Sequence, residues 1–322
     1  MSAERNLLEL RGLQTSFATR GGQVRAVDGV DLTIRAGTVV GVVGESGCGK
    51  STMAHSIIRL LPSSARIIAG SIMFGGRDLA RVTPQELRRI RGREIAMVFQ
   101  DPLTYLNPTL RIGLQIVEKI RAHEIDAADD IARTVAALLN EVGLSDGVQQ
   151  RYPHEISGGM RQRVLIAIAL ACGPSLIIAD EPTSALDVTT QAQILEVFRA
   201  LQRSRNTAFL VITHDLGVAA ELCDDVCVMY AGRIVERGSV YDVLEHPAHP
   251  YTQGLLGSVL SITGFQPSVT TLEGSPPDLA APPSGCRFHP RCPHATSRCI
   301  DESPPTVDIG AGHLVTCWLV QG

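Results

Sequence analysis

One glycine-rich stretch constrains this sequence more than any other feature: residues 44–51 read GESGCGKS. They match the phosphate-loop pattern G-x-x-x-x-G-K-[ST] without a mismatch. The apolar, β-branched run before them, residues 38–43, is typical of a buried parallel strand. The run after them, residues 52–61, is typical of a helix that stops at Pro62. Strand, glycine loop and helix together predict a site for the phosphates of a nucleoside triphosphate.

The polar residues of this loop have separate expected roles. Lys50 supplies a point charge for the β- and γ-phosphates, and the Ser51 hydroxyl is a magnesium ligand. The chain has only two lysines, Lys50 and Lys119, among 29 lysines and arginines, so a compact ammonium at this position is a specific choice. The alternative is a glycine-rich turn that matches by chance, and the flanking strand and helix argue against it.

Length and composition narrow the class of protein. The 322 residues suffice for one large domain or two smaller ones, and a net charge of −4 gives no sign of nucleic-acid binding. No apolar run approaches the roughly 18 residues of a membrane span, and the N-terminus lacks a signal-peptide core. We therefore expect a soluble or peripheral cytosolic protein, whose eight cysteines are thiols or metal ligands rather than disulfides.

Two other regions have recognisable secondary-structure patterns. Residues 7–13 and 30–34 are typical of strands in a small antiparallel sheet ahead of the loop. Phe17, beside them, is a candidate to stack on a nucleotide base, with a place in the core of that sheet as an equal alternative. Helical patterns dominate residues from about 105 to 172, which predicts an inserted helical subdomain.

Polar side chains follow three further apolar runs that are typical of buried strands. The first run is followed by Gln100, the second closes with Asp180 and Glu181, and the third is followed by His214. Ligands of open α/β sheets bind at the carboxyl ends of the strands. We expect Asp180 to hold magnesium and Glu181 to orient or deprotonate the attacking water. A turn glutamine and a packing histidine are the simpler alternatives for the other two.

A second anion site is predicted far from the loop. Ser157 is a good helix N-cap, and Gly158 and Gly159 after it leave the first amides of an apolar helix uncovered. Such a helix end can bind an anion. Taken alone the pattern is weak, because serine–glycine caps are common.

The last sixty residues differ from the rest. From about residue 261 the composition turns to proline, glycine and serine. Four cysteines lie in this tail: Cys286, Cys292, Cys299 and Cys317. Their spacing matches neither the paired cysteines of ordinary zinc sites nor the cysteine motifs of ferredoxins. Four thiols in a segment with little hydrophobic core nevertheless suggest a cross-link that stabilises it. Three arginines are interleaved with these cysteines, Arg287, Arg291 and Arg298, and we expect their charges to lower the pKa values of the thiols.

Read together, six motifs indicate a family. In chain order they are GESGCGKS, FQDP, ISGGMRQR, LIIADEP, SALD and ITHD. This order resembles the ATP-binding subunits of ABC transporters over roughly residues 7–240. The resemblance implies an α/β P-loop NTPase, an ABC-type nucleotide-binding domain with an antiparallel β subdomain and an inserted helical subdomain. We expect that domain at residues 1–260 and a small cysteine-containing C-terminal extension at 261–322.

The resemblance also assigns site residues. It implies a head-to-tail dimer in which ATP lies between the loop of one subunit and Ser157, Gly158 and Gly159 of the other. It implies catalytic roles for Glu181, His214 and Gln100. The implied magnesium ligands are Ser51, Gln100 and Asp180. The implied nucleotide-binding residues are Phe17, Gly44, Glu45, Ser46, Gly47, Cys48, Gly49, Lys50, Ser51, Thr52, Ser157, Gly158, Gly159 and Asp187. Ile156 and Met160 depart from the commonest form, LSGGQ, but the serine and both glycines remain, so we expect hydrolysis to survive.

Longer strings such as YPHEISGGMRQR resemble the dipeptide/oligopeptide importer branch, which nickel importers share. The implied function is ATP hydrolysis that drives peptide uptake from the cytoplasmic face of the inner membrane. Implied partners are a second ATPase subunit, with a heterodimer favoured over a homodimer, two membrane permease subunits and an extracytoplasmic peptide-binding protein, but no nucleic acid. Alternatives are a nickel or other small-solute importer, a non-transport ABC ATPase acting on nucleic acid or ribosomes, and a redox protein.

The cysteine tail also resembles this branch. Its pattern C-R-F-x-x-R-C-P-x-A-x-x-x-C resembles the C-terminal extension in which some members carry a [4Fe–4S] cluster. We therefore hypothesise that the four tail cysteines hold such a cluster. Zn²⁺ is the second possibility, and four free thiols are the third. The remaining cysteines have plainer expectations: Cys172, Cys223 and Cys227 as small core residues, and Cys48 as no nucleophile.

Overall fold

The computed structural model describes residues 6–123, 131–184, 186–262 and 272–321. The chain divides into two compact units. In the described ranges, the first contains residues 35–39 and 82–211, and the second contains the remainder. Ala185 of the SALD motif and most of the junction predicted after residue 260 lie outside the described residues.

The secondary structure follows the predicted alternation of strands and helices. Strands in the described ranges are β1 (Asn6–Thr19), β2 (Gly22–Arg35), β3 (Val39–Val43), β4 (Ala65–Phe74), β5 (Arg77–Asp78), β6 (Ile95–Val98), β7 (Leu176–Asp180), β8 (Ala208–Thr213), β9 (Asp225–Tyr230), β10 (Arg233–Ser239), β11 (Val307–Asp308) and β12 (Leu314–Val315). Helices there are α1 (Lys50–Ile57), α2 (Pro84–Ile90), α3 (Pro102–Tyr105), α4 (Ile112–Ala122), α5 (Ile131–Glu141), α6 (Gly158–Leu170), α7 (Val188–Arg205), α8 (Leu216–Leu222), α9 (Val240–Glu245), α10 (Pro250–Ile262) and α11 (Ser297–Asp301).

The antiparallel sheet predicted ahead of the phosphate loop is present in the second unit. Its strand order is β2-β1-β4-β5, and β1 runs antiparallel to β4 with Leu8 opposite Phe74. Leu8 and Leu10 point to the same face of β1 and are both buried. Alternation of apolar side chains therefore places one face of this sheet in the core.

A second group of strands in the same unit carries the phosphate loop. Their order is β11-β12-β10-β9-β3, with β3 parallel to β9 and the other pairs antiparallel. Strands β9 and β10 form a hairpin, and its turn residues Ala231 and Gly232 both have positive φ. The tail adds β12 to the edge of β10, where Leu314 lies opposite Arg237. Pairing with β10 thus gives the composition-biased tail regular structure.

The first unit contains parallel strands and most of the helices. Strands β8, β7 and β6 are neighbours in that order, and β6 runs parallel to β7 with Val98 opposite Ala179. Helix α4 buries Ile112, Ile116 and Ile120 along one stripe, as an amphipathic helix does. Parallel strands connected by helices confirm the α/β class. The separate helical subdomain at about 105–172 and the domain boundary remain predictions.

Helix α1 is shorter than the sequence predicts. It ends at Ile57 rather than at Pro62, because Arg59 takes a left-handed conformation with φ of +52°. Its N–H donates to Ser56 O, and the N–H of Leu60 donates to His55 O. This backbone cap satisfies the last carbonyls and stops the helix before proline is reached.

The structure also bears on membrane insertion. Over the described part of the chain, no helix is both long enough and apolar enough to cross a bilayer.

Candidate functional site

The phosphate loop is shaped by three glycines with positive φ angles. Gly44, Gly47 and Gly49 have φ values of +153°, +79° and +111°. A Cβ at Gly44 would collide with the carbonyl oxygen of Met229, and one at Gly49 with that of Ala26. Backbone packs directly against this loop near both ends, so glycine at positions 44 and 49 is a steric requirement of the second unit.

Lys50 lies across the loop that precedes it. Its ammonium donates hydrogen bonds to Gly44 O at 2.7 Å and Glu45 O at 3.0 Å, and the residue is 5% exposed. Helix α1 starts at Lys50, and its N-cap residue, Gly49, has no side chain with which to cover the first amides. The loop therefore places a lysine charge beside helix amides that no N-cap side chain covers, which is the arrangement that binds phosphate.

Glu45 of the loop contacts the C-terminal part of the chain. Its N–H donates to Tyr251 Oη at 2.9 Å, and its carboxylate accepts two hydrogen bonds from Arg291, at 2.7 and 3.1 Å. Neither partner is predicted from the sequence. They lie 206 and 246 positions away, and no local pattern signals pairing over such distances.

The two predicted catalytic groups of the first unit do meet. Gln100 Nε2 donates a hydrogen bond of 3.0 Å to Glu181 Oε2. Asp180 ends the fully buried strand β7 and is itself 7% exposed, whereas Glu181 has a left-handed φ of +48°. The two adjacent carboxylates therefore have different backbone conformations: Asp180 is the last residue of the strand, and Glu181 lies in a strained turn after it.

Ser157, Gly158 and Gly159 of the first unit lie at the start of α6, beside the N-terminal end of α7. Ser157 Oγ accepts from Met160 N at 3.3 Å, which confirms the predicted N-cap of α6. Gly159 faces Thr190, whose methyl group would collide with any Cβ there. Asp187 caps α7 by accepting from Thr190 N at 2.9 Å and Thr190 Oγ1 at 2.7 Å, and these bonds lower the pKa of its carboxyl.

The remaining predicted nucleotide contacts lie in the second unit. Phe17 is on β1 opposite Ala65 and is half-buried, outside the fully buried core of that sheet. His214 directly follows β8 and is exposed. Cys48 is buried within the loop, and burial raises the pKa of its thiol, in line with the expectation that it is no nucleophile.

The four tail cysteines line one cavity of about 200 Å³. None of them forms a disulfide, and the imidazoles of His289 and His294 line the same space. Within the described residues, however, no three or more His, Cys, Asp or Glu side chains are grouped so as to hold a metal ion. The metal prediction for the tail therefore has the shared cavity as its structural support and no ligand geometry.

One expectation about these thiols is wrong. Burial raises the pKa of three of them, namely Cys286, Cys292 and Cys317, and the interleaved arginines do not counteract it. Those arginines bind carboxylates elsewhere: Arg287 pairs with Asp28, Arg291 with Glu45 and Arg298 with Glu302. Arginine spacing in sequence did not reveal these partners.

The expectation of small core residues is confirmed for two other cysteines. Cys223 is 7% exposed and Cys227 is fully buried, and burial raises the pKa of Cys227 to about 12. Cys172 is only half-buried.

Comparison with known proteins identifies the class. Residues 27–184 match the family model described as ABC transporter. A solved dimer of the ATP-binding cassette MJ0796, in a post-hydrolysis state bound to ADP and Pi, is 27% identical with a TM-score of 0.65. It covers 72% of this chain and 98% of its own. The chain belongs to the ATP-binding proteins of ABC transporters and is an ABC-type ATPase.

The branch follows from the tail and from full-length relatives. Residues 235–299 match the model described as oligopeptide/dipeptide transporter, C-terminal region. The dipeptide transport ATP-binding protein DppD of Bacillus subtilis is 47% identical over 97% of this chain and 94% of its own. The oligopeptide transport ATP-binding protein OppD of Salmonella typhimurium is 46% identical over 97% and 93%. Within its class the chain belongs to this peptide-transporter branch, as its motifs predict.

Proposed function

We propose that this chain is the ATP-hydrolysing subunit of an importer of dipeptides or oligopeptides. The observation that carries the proposal is similarity to DppD and OppD along nearly the whole chain, including the C-terminal region that gives the second family model its name. A match confined to the ATPase core would support ATP hydrolysis without indicating a substrate class, because that core is shared by many ABC proteins.

We propose specific roles for the nucleotide-site residues. Lys50 binds the β- and γ-phosphates, Phe17 stacks on the base, and His214 contacts the γ-phosphate. Glu181, oriented by Gln100, takes a proton from the attacking water. The other proposed nucleotide contacts are Gly44, Glu45, Ser46, Gly47, Cys48, Gly49, Ser51, Thr52, Ser157, Gly158, Gly159 and Asp187.

Magnesium has suitable residues in the chain. Ser51, Gln100 and Asp180 all offer oxygen donors, the type that Mg²⁺ prefers, and the buried carboxylate of Asp180 gains a counter-charge when the ion binds. The ion supplies charge neutralisation at the phosphates when it is bound with ATP. Lys50 and the amides at the start of α1 contribute further positive potential.

Transport requires partners. We propose that a second ATPase subunit, a related chain in preference to a copy of this one, supplies the Ser-Gly-Gly contact to ATP bound here. Two membrane permease subunits then follow closure and reopening of the ATPase pair, and an extracytoplasmic binding protein delivers the peptide. The chain accordingly works at the cytoplasmic face of the inner membrane, as a peripheral subunit.

Purification from membranes tests this proposal. We expect the chain to copurify with a second ATPase and two multispanning subunits, and the reconstituted complex to hydrolyse ATP faster with a peptide-loaded binding protein. Stimulation by nickel instead of peptide would move the chain to the nickel importers. Recovery only as a free protein that binds ribosomes or nucleic acid would refute transport.

We also propose that the tail cavity holds a [4Fe–4S] cluster, with Zn²⁺ as the alternative. Support comes from the donor set, since four thiols line one space and four thiolates are what such a cluster uses. Iron, sulfide and zinc are measured in anaerobically purified protein and in the Cys286→Ser and Cys292→Ser variants. Near-equal iron and sulfide that disappear in both variants support the cluster. Zinc alone, or neither metal, rejects it.

A further inference from the structure

A carboxylate in a phosphate-binding loop is an electrostatic problem. Glu45 is the residue after Gly44 and belongs to the loop proposed to receive a triphosphate, which carries several negative charges. Its side chain is 24% exposed, so water screens it only in part. An uncompensated carboxylate at this position would weaken the binding of any anion.

Arg291 of the tail compensates that charge. Its guanidinium donates two hydrogen bonds to the two oxygens of Glu45, at 2.7 and 3.1 Å, in the paired geometry that fits a carboxylate. The Arg291 side chain is only 6% exposed. Pairing with Glu45 raises its pKa further above the physiological range, in which an arginine is charged in any case. The pair is therefore a nearly buried ion bridge, unlike the exposed pairs that contribute little.

Contacts on other sides hold Arg291 in place. Its Nε donates to the carbonyl oxygen of Glu273 at 2.9 Å, and its guanidinium lies 5.8 Å from the centre of the Tyr230 ring. The arginine is thus oriented by the tail itself before it meets the loop. An arginine fixed in this way loses little freedom on pairing.

Tyr251 and the turn between β9 and β10 also contact the same loop. Tyr251, which packs against Tyr230, accepts the Glu45 N–H. Arg287 donates to the carbonyl oxygen of Ala231, and the next residue along, Gly232, donates its N–H to Cys48 O at 2.7 Å. The loop is therefore held near both ends by residues distant in sequence.

We propose that Arg291 is a positioning residue for ATP: it neutralises the carboxylate of Glu45 in the phosphate loop, so that nucleotide affinity depends on the C-terminal tail. The inference rests on the proposed ATP site in that loop. It makes Glu45 the point at which the loop is joined to the tail.

Equilibrium titration with the non-hydrolysable analogue AMP-PNP and magnesium tests the proposal. We expect Arg291→Ala to bind roughly tenfold more weakly than the unaltered chain, because an unpaired carboxylate then faces the phosphates. Adding Glu45→Gln should return affinity to within about threefold, since the repulsion is removed with its source. Loss of packing alone would not be repaired by Glu45→Gln.

The matched control is Arg298→Ala, which removes a tail arginine paired with Glu302 on the surface. It should leave affinity unchanged. Equal affinity of Arg291→Ala and the unaltered chain overturns the inference, as does failure of Glu45→Gln to restore it in a folded protein. If the unaltered chain does not bind AMP-PNP, the proposed ATP site fails instead.

A second comparison of variants tests the proposal if Arg291→Ala does not fold. Glu45→Gln/Arg291→Gln replaces both charges with amides of similar shape. We expect it to bind within about threefold of Glu45→Gln alone, because little is left for the arginine to neutralise. A further tenfold loss would show that the arginine acts on something other than Glu45 and would reject the inference.

Discussion

Gln100 donates a hydrogen bond of 3.0 Å to the carboxylate of Glu181, whose backbone has a left-handed φ of +48°. A residue with a side chain pays about 1–2 kcal/mol for that conformation. Strain of this kind clusters at functional sites. Here it separates Glu181 from Asp180, its neighbour on β7, so that two consecutive acids can serve different roles.

The first prediction concerns this carboxylate. Glu181→Gln should bind ATP as the unaltered chain does, because the side chain keeps its size and its contact with Gln100. It should hydrolyse ATP roughly 10²–10⁴-fold more slowly, since an amide cannot take a proton from water. Single-turnover hydrolysis in the assembled transporter measures the chemical step. A normal single-turnover rate would rule out the assigned role.

Substitution of Gln100, whose amide binds the Glu181 carboxylate, should have a smaller effect on the same rate. Gln100→Ala should lower the rate less than Glu181→Gln, because the carboxylate remains but is no longer oriented. Glu196→Gln is the matched control: it makes the same chemical change on the exposed face of α7 in the same unit and should leave the rate unchanged.

Local patterns predicted much of this molecule. The glycines at residues 44–49, the strand before them and the Ser157 cap each depend on a few consecutive residues, and each lies where the sequence indicates. Steric rules act over short distances, so they can be read from the chain directly. The predicted end of α1 is wrong because Arg59, whose residue type gives no sign of a left-handed conformation, stops the helix before proline does.

Long-range pairing was beyond reach. Their spacing predicts that Arg287, Arg291 and Arg298 act on the cysteines beside them. In the structure each binds a carboxylate instead, and two of these carboxylates are more than 240 positions away. A charged side chain is drawn to whichever opposite charge the fold brings near. That choice depends on the folded backbone and cannot be inferred from spacing.

The second prediction compares two loop glycines. Gly49→Ala should destabilise the fold by roughly 3 kcal/mol, because its φ is +111° and the new Cβ would meet the carbonyl oxygen of Ala26. Gly47→Ala should cost about 1 kcal/mol, since φ is +79° but the new Cβ meets no described atom within 4 Å. Urea unfolding measures both. Equal losses would contradict the steric account.

The third prediction concerns a buried ion cluster. Asp28 accepts hydrogen bonds from Arg287 and Arg233, and the Asp28 and Arg287 side chains are 4% and 8% exposed. Asp28→Asn should destabilise the fold by about 3–5 kcal/mol, because it leaves arginine charge buried without a carboxylate. The control Glu302→Gln breaks an exposed pair and should change stability by less than about 0.5 kcal/mol. Comparable effects in urea unfolding would count against the cluster.

The fourth prediction concerns acid stability. His249 is 1% exposed, its Nδ1 accepts from Tyr251 N at 3.0 Å, and burial lowers its pKa from 6.5 to about 3. Below about pH 6.5 the imidazole is therefore protonated in the unfolded chain and neutral in the folded chain. The free energy of unfolding consequently falls as the pH drops below 6.5, by up to about 1.4 kcal/mol per pH unit. His249→Asn should flatten urea-derived stability between pH 7 and 5, whereas His246→Asn, at an exposed position, should not. Parallel curves for His249→Asn and the unaltered chain would place the acid sensitivity in other groups.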